Sequence, residues 1–133
     1  MCLFCKIINN EIPSFKVFEN KYVLAFLDIS QETTGHTLVL PKKHISNILE
    51  LDVETGHHLS DAVIEVTDLL SKKLKCNNFN ILNNCGELAG QTVHHLHIHV
   101  IPQHENEHFT FNHNSHDPDF KKLELTHKKI LDK

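Results

Sequence analysis

Three histidines that alternate with aliphatic residues offer the clearest chemistry in the chain. His95, His97 and His99 are separated by single aliphatic residues. In a β-strand successive side chains point to opposite faces, so we predict that the imidazoles line one face and the aliphatic residues enter the core. Side chains on one face are about 7 Å apart, so three rings can surround one small anion or one metal ion. The alternative is an ordinary strand with a histidine-rich polar face.

Two cysteines near the start of the chain form a second group that could do chemistry. Cys2 and Cys5 are spaced as CxxC, whereas Cys76 and Cys85 stand alone. The first residues do not combine a charged segment with an apolar run, so we expect a cytoplasmic protein. In a reducing compartment a CxxC pair is more typical of metal binding or redox chemistry than of a structural disulfide. The pair supplies two of the four ligands of a tetrahedral zinc site, and histidines are the most suitable source of the others.

The composition limits the classes of function. With 133 residues and 40% hydrophobic content, the chain has the size of one domain with a normal core. A net charge of −4 and scattered lysines do not provide the basic stripe that nucleic-acid binding needs, so we expect no nucleic-acid partner. We also expect no membrane partner, because no apolar run approaches the length of a spanning helix. All 13 basic residues are lysines, so a bound phosphate cannot rest on a guanidinium fork.

The elements that must position these residues are short strands and one long helix. Strands joined by tight turns pair antiparallel, and a helix over one face of such a sheet gives an α+β fold. Apolar residues recur every three or four positions between Asp52 and Leu74, which predicts the long helix. The other predicted segments are a short helix over 4–10, strands over 16–19, 22–29, 36–40 and 78–84, and the histidine strand over 93–102.

A polar tail follows the histidine strand. Residues 103–116 are predominantly polar, and Asp117-Pro118 then predicts a helix with Pro118 at its first position. The residues Phe120, Leu123, His127 and Ile130 would share one face of that helix. We expect this tail helix to dock on the body of the domain or on a partner subunit.

Four blocks of the sequence resemble the histidine triad (HIT) family. The segment 95–101 resembles the signature of that family, in which three histidines are separated by single hydrophobic residues. The segments 25–30, 35–45 and 89–93 resemble its other characteristic blocks, in order and at typical spacing. The resemblance covers residues 2–102. We therefore interpret 1–133 as a single HIT domain with its core in 2–102 and a C-terminal tail over 103–133.

The resemblance implies both a fold and a reaction. The implied fold is a five-stranded antiparallel sheet with one long and one short helix, paired as a homodimer in which two sheets join. The implied reaction is attack on the α-phosphorus of a nucleotide through a covalent nucleotidyl-histidine on His97. A neutral imidazole is a competent nucleophile near pH 7, which supports this use of the strand. The family also implies that the backbone carbonyl of His95 orients His97, that His99 stabilises the phosphate oxygens, and that His36 joins a proton relay.

Individual binding residues are implied by the same resemblance. The carboxylate of Asp28 would accept hydrogen bonds from the ribose hydroxyls. The apolar residues around the base would be Phe4, Ile7, Ile29 and Leu38. The phosphate would lie among Asn84, Gly90, Gln91 and Thr92, together with His97 and His99. In members of the family with an N-terminal CxxC the cysteines share a zinc ion with two histidines, which implies a structural zinc site made of Cys2, Cys5, His44 and His95.

The favoured function is that of the phosphoramidase branch of the family, acting on purine nucleoside 5′-phosphoramidates. Dinucleoside polyphosphate hydrolysis is the nearest alternative, because the block 89–93 also resembles that branch. A different class is a metal-dependent hydrolase with His95, His97 and His99 as ligands of a catalytic ion. A third class is a nucleotide-binding adaptor that keeps the pocket without turnover.

Overall fold

A five-stranded antiparallel sheet is the main element of the fold in this computed structural model, which describes residues 2–132. The strands are β1 (Lys16–Glu19), β2 (Val23–Leu27), β3 (Thr37–Pro41), β4 (Phe79–Leu82) and β5 (Ile98–Pro102). The helices are α1 (Leu3–Ile8), α2 (Val53–Leu74) and α3 (Phe120–Leu131), with short 3-10 turns at Ile48–Glu50 and Glu87–Ala89. The spatial order is β1-β2-β3-β5-β4, so β5 is an inner strand and β4 an outer one. The α+β class and the five-stranded sheet are confirmed.

Both faces of the central strands are buried, because a helix covers each. Val23 and Ala25 of β2 point into a cluster with α2, whereas Leu24 and Phe26 point into a second cluster with α1. This division follows from the alternation of side chains along a strand. Every residue of β3 is buried for the same reason. The sheet is therefore a rigid platform between two apolar layers.

The long helix α2 begins and ends where its sequence provides caps. The carboxylate of Asp52 accepts from the backbone N–H of Thr55 (3.0 Å), as expected of an N-cap residue. Lys75 ends the helix in the left-handed conformation, with φ of 54°. The side chains that α2 buries against the sheet are Leu59, Ala62, Val66 and Leu70. The predicted bounds of this helix agree with the structure to one residue.

The regular part of the histidine strand is shorter than predicted. β5 begins at Ile98, so His95 and His97 precede it, and the expectation of three imidazoles on one regular strand is wrong in this respect. The backbone N–H of Leu96 donates to the carbonyl of Ile45 (2.7 Å) rather than to a ladder partner. The side chain of Asn83 donates to the carbonyl of His97 (2.9 Å). These bonds to loops satisfy the backbone without a strand.

The tail forms a helix that lies apart from the domain. α3 begins at Phe120 with Asp119 as its N-cap, so Pro118 is not the first helical residue as predicted. The Asp119 carboxylate accepts from the backbone N–H of Lys122 (3.0 Å), which explains why the helix starts there. Every residue from 110 to 132 is exposed. None of the described helices is long and apolar enough to cross a membrane.

Candidate active site

A cavity of about 550 Å³ opens on the face of the sheet that α1 covers. Ten of the residues that the sequence assigned to nucleotide binding line it together: Phe4, Ile7, Asp28, Ile29, Leu38, Asn84, Gly90, Thr92, His97 and His99. Its walls come from α1, the loop after β2, the inner strands β3 and β5, and the loop before β5. Three other assigned residues, His36, His95 and Gln91, are buried and are not among the residues that line this cavity.

A backbone carbonyl determines which nitrogen of His97 carries the proton. His97 Nδ1 lies 2.7 Å from the carbonyl oxygen of His95. A carbonyl oxygen only accepts, so Nδ1 must carry the hydrogen and donate it. Nε2 is then the nitrogen with a free lone pair, on a ring that lines the cavity. Phe4 packs edge-on against this ring with centroids 5.0 Å apart, which holds its plane. The arrangement presents a neutral nucleophile to the cavity.

His95 is oriented in the opposite sense. Its Nε2 lies 2.8 Å from the carbonyl of Pro41 and donates to it. The lone pair is therefore on Nδ1, which points towards the thiols of Cys2 and Cys5 at 3.4 and 3.6 Å. His95 thus faces away from the cavity with its side chain, while its carbonyl oxygen orients His97.

His36 and His99 form a hydrogen-bonded pair behind the cavity. The Nδ1 atom of His36 accepts from the backbone N–H of Glu32 (3.3 Å), so its proton is on Nε2. That Nε2 donates to Nδ1 of His99 at 2.9 Å. Neutral His99 must then carry its own proton on Nε2. The ring that lines the cavity is consequently a hydrogen-bond donor, suited to the oxygens of a phosphate.

The histidines of the cavity are held neutral. Burial is the main cause that lowers the pKa of His97, opposed by its bond to the carbonyl of His95. Burial also lowers the pKa of His99 to about 4, and the neighbouring His97 and His36 add to the shift. A low pKa keeps a lone pair on His97 at neutral pH, which a nucleophile requires.

Asp28 lies at the cavity edge, where the chain leaves β2. One carboxylate oxygen accepts from the backbone N–H of Ser30 (2.8 Å), and the other is 3.7 Å from Nε2 of His36. The side chain of Gln31 donates to the carbonyls of both Asp28 and His36 (2.6 and 2.7 Å). The loop that carries the Asp28 carboxylate and His36 is thus tied together by one amide. The neighbouring Ile29 is almost fully exposed at the mouth.

Gln91 supports the loop before β5 instead of lining the cavity. Its Oε1 accepts from the backbone N–H of Gly86 (2.8 Å), and its Nε2 donates to the carbonyls of Ser46 and Val93 (2.7 and 3.0 Å). Gly90, in this loop, has φ of 92°, a conformation that side chains rarely adopt. The buried amide therefore fixes the backbone of the loop beside the cavity.

Four residues on the far side of His95 form a cluster suited to zinc. Sγ of Cys2 and Cys5 and Nδ1 of His44 and His95 lie within 4.8 Å of one another. The sulfur-to-nitrogen distances are 3.3 to 3.6 Å and the nitrogen-to-nitrogen distance is 3.2 Å. Tetrahedral Zn²⁺ separates S and N ligands by about 3.6 Å and two N ligands by about 3.3 Å. The four residues fit this ion, and the bond of His95 to the carbonyl of Pro41 supplies the outer-shell partner that zinc-binding histidines use.

The metal-hydrolase alternative requires a different arrangement. Within residues 2–132 the second group with metal-compatible spacing is Asp28, His36 and His99, and neither group contains His97. The proton of His36 Nε2 is engaged with His99, so hydrogen bonding accounts for that second group. The three triad histidines point to different partners and do not converge on one point.

Some residues of the site could not be found from the sequence. Asn83 holds the carbonyl of His97, and Leu3 and Phe15 add apolar surface at the cavity mouth. The hydroxyl of Ser14 is buried at the cavity and has no hydrogen-bond partner among residues 2–132. Phe15 directly follows Pro13-Ser14 and is exposed in the structure, so no apolar period in the sequence marks it.

Comparison with known proteins places this geometry in a family. The sequence profile of the HIT domain matches residues 9–106. The chain belongs to the HIT family. Protein hit of Bacillus subtilis is 50% identical to this HIT protein over 102 residues, which cover 77% of this chain and 70% of the relative. Adenosine 5′-monophosphoramidase HNT1 of Saccharomyces cerevisiae is 41% identical over 133 residues, covering 99% and 82%.

A solved structure agrees with the fold of this HIT protein. The crystal structure of SMU.412c from Streptococcus mutans superposes with a TM-score of 0.92 at 45% sequence identity, covering 97% of this chain and 82% of that one. The family assignment made from the four sequence blocks is confirmed. The relatives named adenosine 5′-monophosphoramidase support a nucleotide hydrolase.

Proposed function

We propose that this HIT protein hydrolyses purine nucleoside 5′-phosphoramidates through a covalent nucleotidyl intermediate on His97. The observation that carries the proposal is the hydrogen bond from His97 Nδ1 to the carbonyl of His95, which leaves Nε2 as a neutral nucleophile at the cavity. Support comes from the relatives named adenosine 5′-monophosphoramidase in Saccharomyces cerevisiae and in Schizosaccharomyces pombe. The apolar wall around Phe4 and Leu38 suits the flat face of a purine.

The proposed reaction has two displacements at the α-phosphorus. In the first, Nε2 of His97 forms a bond to phosphorus, the phosphorus–nitrogen bond of the substrate breaks, and the departing amine takes a proton from water. In the second, water attacks phosphorus, the bond to Nε2 breaks, and the nucleoside monophosphate leaves while a proton returns to solvent. The N–H of His99 stabilises the charge on the phosphate oxygens in both steps. Asp28 would bind the ribose hydroxyls and orient the nucleotide.

The zinc site and the dimer belong to the same proposal. Cys2, Cys5, His44 and His95 would hold a structural Zn²⁺ ion, whose closed tetrahedral shell would brace the segment before His97 and not activate water. Two copies would pair along the outer strand β4, whose free edge adjoins an apolar groove between α2 and the sheet. Val63, Ile64 and Ile81 line that groove. We also propose a cytoplasmic location, because zinc binding by Cys2 and Cys5 requires reduced thiols, which the cytoplasm maintains.

The test is release of AMP from adenosine 5′-phosphoramidate. We expect turnover by the wild type and a loss of at least about 10³-fold in the His97→Ala variant, because the nucleophile is removed. His94→Ala is the matched control, since His94 is exposed and lies outside the cavity. AMP binding by His97→Ala, measured by calorimetry, shows whether the variant is folded. Turnover of diadenosine polyphosphates alone would favour the dinucleotide hydrolase, and AMP binding without turnover of either substrate would favour the adaptor.

A further inference from the structure

Two cysteines and two histidines bring three separate segments of the chain to one point. Cys2 and Cys5 belong to the start of the chain and to α1, His44 lies in the loop after β3, and His95 lies in the segment before β5. The two sulfur atoms lie within 4.8 Å of each other. Both cysteines are partly exposed, whereas His95 is fully buried. Solvent therefore reaches the sulfurs, and a change in their bonding affects a buried residue beside the cavity.

The helix α1 depends on this point because few other contacts hold it. It has six residues, which is too short for a helix to be stable on its own. Its two buried side chains, Phe4 and Ile7, pack in the apolar cluster on that face of the sheet. Phe4 also contacts the ring of His97 edge-on, with centroids 5.0 Å apart. If the cysteines are detached, α1 moves more freely, and its motion alters the cavity wall and the support of His97.

The other two cysteines lack these features. Cys76 is buried, and its thiol donates to the carbonyls of Asn78 and Gln103 (3.2 Å each), so its sulfur keeps its proton and is unreactive. Cys85 is partly exposed, but it belongs to no cluster of metal ligands among residues 2–132. An oxidant that reaches the protein therefore finds a pair of adjacent sulfurs at Cys2 and Cys5.

A disulfide between Cys2 and Cys5 would detach α1. The two residues are three positions apart, so the disulfide closes a short loop at the start of one helix and ties it to no other segment. Only the thiolate form of cysteine binds metal, so the disulfide also removes two of the four ligands of the cluster. The links from α1 to His44 and His95 are then lost together. Disulfides in a reducing compartment are typically transient and serve in redox sensing.

We propose that Cys2 and Cys5 are a peroxide-sensitive modification site, whose oxidation to a disulfide detaches α1 from His44 and His95 and weakens nucleotide binding in the cavity. The effect on nucleotide binding rests on the proposed function, whereas formation of the disulfide does not. The oxidised protein keeps its sheet and α2, because neither contains a residue of the cluster.

The oxidation consumes one hydrogen peroxide for each disulfide. One thiolate attacks a peroxide oxygen, the oxygen–oxygen bond breaks, and a sulfenic acid and hydroxide form. The second thiolate attacks the sulfenic sulfur, the sulfur–sulfur bond forms, and a second hydroxide leaves. Two protons from solvent convert both hydroxides to water. The two sulfurs together lose two electrons, which the peroxide accepts, and a dithiol reductant reverses the change.

Trypsin digestion of the full-length protein tests the detachment of α1. Lys6 lies within α1, and trypsin cuts after it only when the helix opens. We expect cleavage at Lys6 to be at least about tenfold faster after treatment with hydrogen peroxide, since the helix opens more often. Cleavage at Lys121, in the exposed α3, is the internal reference and should not change. Dithiothreitol with Zn²⁺ should restore the slow rate.

The modification itself is read from the peptide that trypsin releases. Residues 1–6 form one tryptic peptide that contains both cysteines, and a disulfide lowers its mass by two hydrogen atoms. A chromogenic chelator measures the Zn²⁺ that appears in solution, and we expect one ion for each disulfide formed. This readout does not depend on any enzymatic activity.

Two cysteine variants form a matched pair. Cys85→Ser retains both sulfurs of the cluster and should respond to peroxide like the wild type. Cys5→Ser cannot form the disulfide, so its cleavage at Lys6 should be equally fast with and without peroxide. A peroxide response that persists in Cys5→Ser would place the sensitive group elsewhere and overturn the proposal.

Calorimetry with AMP measures the effect on the cavity. We expect the apparent Kd for AMP to rise about tenfold on oxidation, because the competent arrangement of α1 is populated less. AMP release from adenosine 5′-phosphoramidate by the reduced protein tests the proposed function separately. Binding of AMP without hydrolysis would refute the phosphoramidase and leave the redox site intact. An unchanged Kd, or equal cleavage rates at Lys6, in protein whose peptide 1–6 is fully oxidised would overturn the redox site.

Discussion

Backbone groups determine the protonation pattern of the active-site histidines. The carbonyls of Pro41 and His95 accept hydrogen bonds from the ring N–H groups of His95 and His97, while the N–H of Glu32 donates to Nδ1 of His36. Each ring is thereby assigned one donor and one acceptor nitrogen. A change of tautomer in one ring would leave a buried carbonyl or N–H without a partner, which is unfavourable by about 1–3 kcal/mol. The arrangement of donor and acceptor nitrogens is therefore a consequence of the backbone and not of the rings alone.

His36 provides a prediction at this scale. We expect His36→Ala to lower kcat by about 10²-fold with a small change in KM, because His99 loses its donor and is free to adopt the wrong tautomer. His36→Gln keeps an N–H near the same position and should recover part of kcat. The measurement is steady-state AMP release from pH 6 to 9, with His94→Ala as the control. A change confined to KM in His36→Ala would instead show a role in substrate binding.

At the scale of elements, α1 joins the cysteine cluster to the cavity. Sγ of Cys2 caps the helix by accepting from the N–H of Cys5 (3.1 Å), while Phe4 and Ile7 of the same helix form the cavity wall. Burial, followed by the neighbouring Cys2, raises the pKa of the Cys5 thiol to about 11. A bound cation offsets the charge of two adjacent thiolates. Metal binding would thus fasten a cavity wall and His95 at one point.

This connection predicts a specific effect of cysteine removal. We expect Cys5→Ser to lose most of the zinc of the purified protein and to weaken AMP binding, because α1 is no longer fastened to His95. Cys85→Ser, a cysteine outside both metal-compatible groups, is the control and should keep its zinc. Zinc is measured by atomic emission and AMP affinity by calorimetry. Equal zinc content in Cys5→Ser and the wild type would contradict the assignment.

The sequence predicted the elements better than their ends, for physical reasons. The apolar period between Asp52 and Leu74 is a local signal, and it agrees with the bounds of α2 in the structure. The start of β5 at Ile98 depends on loop contacts of Leu96 and His97, which are remote in the sequence. Likewise, no local pattern distinguishes a glutamine that faces a phosphate from Gln91, whose partners include the carbonyl of Ser46. The four sequence blocks predicted which residues lie near one another, but they did not predict how the side chains are oriented.

At the scale of the whole molecule, the buried histidines and the excess of lysine lie in different parts of the chain. The buried imidazoles lie at the centre of the domain, and the excess of lysine lies in the exposed α3. Salt should therefore have little effect on the buried histidines of the cavity, since only exposed charges are screened strongly. The response to pH, in contrast, should arise mainly in the domain.

Acidification should destabilise the fold through His97 and His99. The pKa of each is lowered in the folded state, to about 4 for His99, whereas an exposed histidine titrates near 6.5. Between these values the unfolded chain binds more protons than the folded one, so the free energy of unfolding is largest above pH 6.5 and falls as the pH decreases. We expect a loss of about 2 kcal/mol from pH 7.5 to 5, reduced from the full linkage value because the rings are partly open to solvent.

Urea unfolding at several pH values measures this loss, and one variant isolates its source. Zinc release in acid would also destabilise the fold, but it would affect the wild type and His99→Gln alike. The difference between the two in free energy of unfolding should therefore change with pH, because glutamine does not titrate. The carboxylate of Asp52 has a pKa of about 2 and is not protonated in this window. A constant difference between wild type and variant from pH 7.5 to 5 would show that His99 is not held neutral by burial.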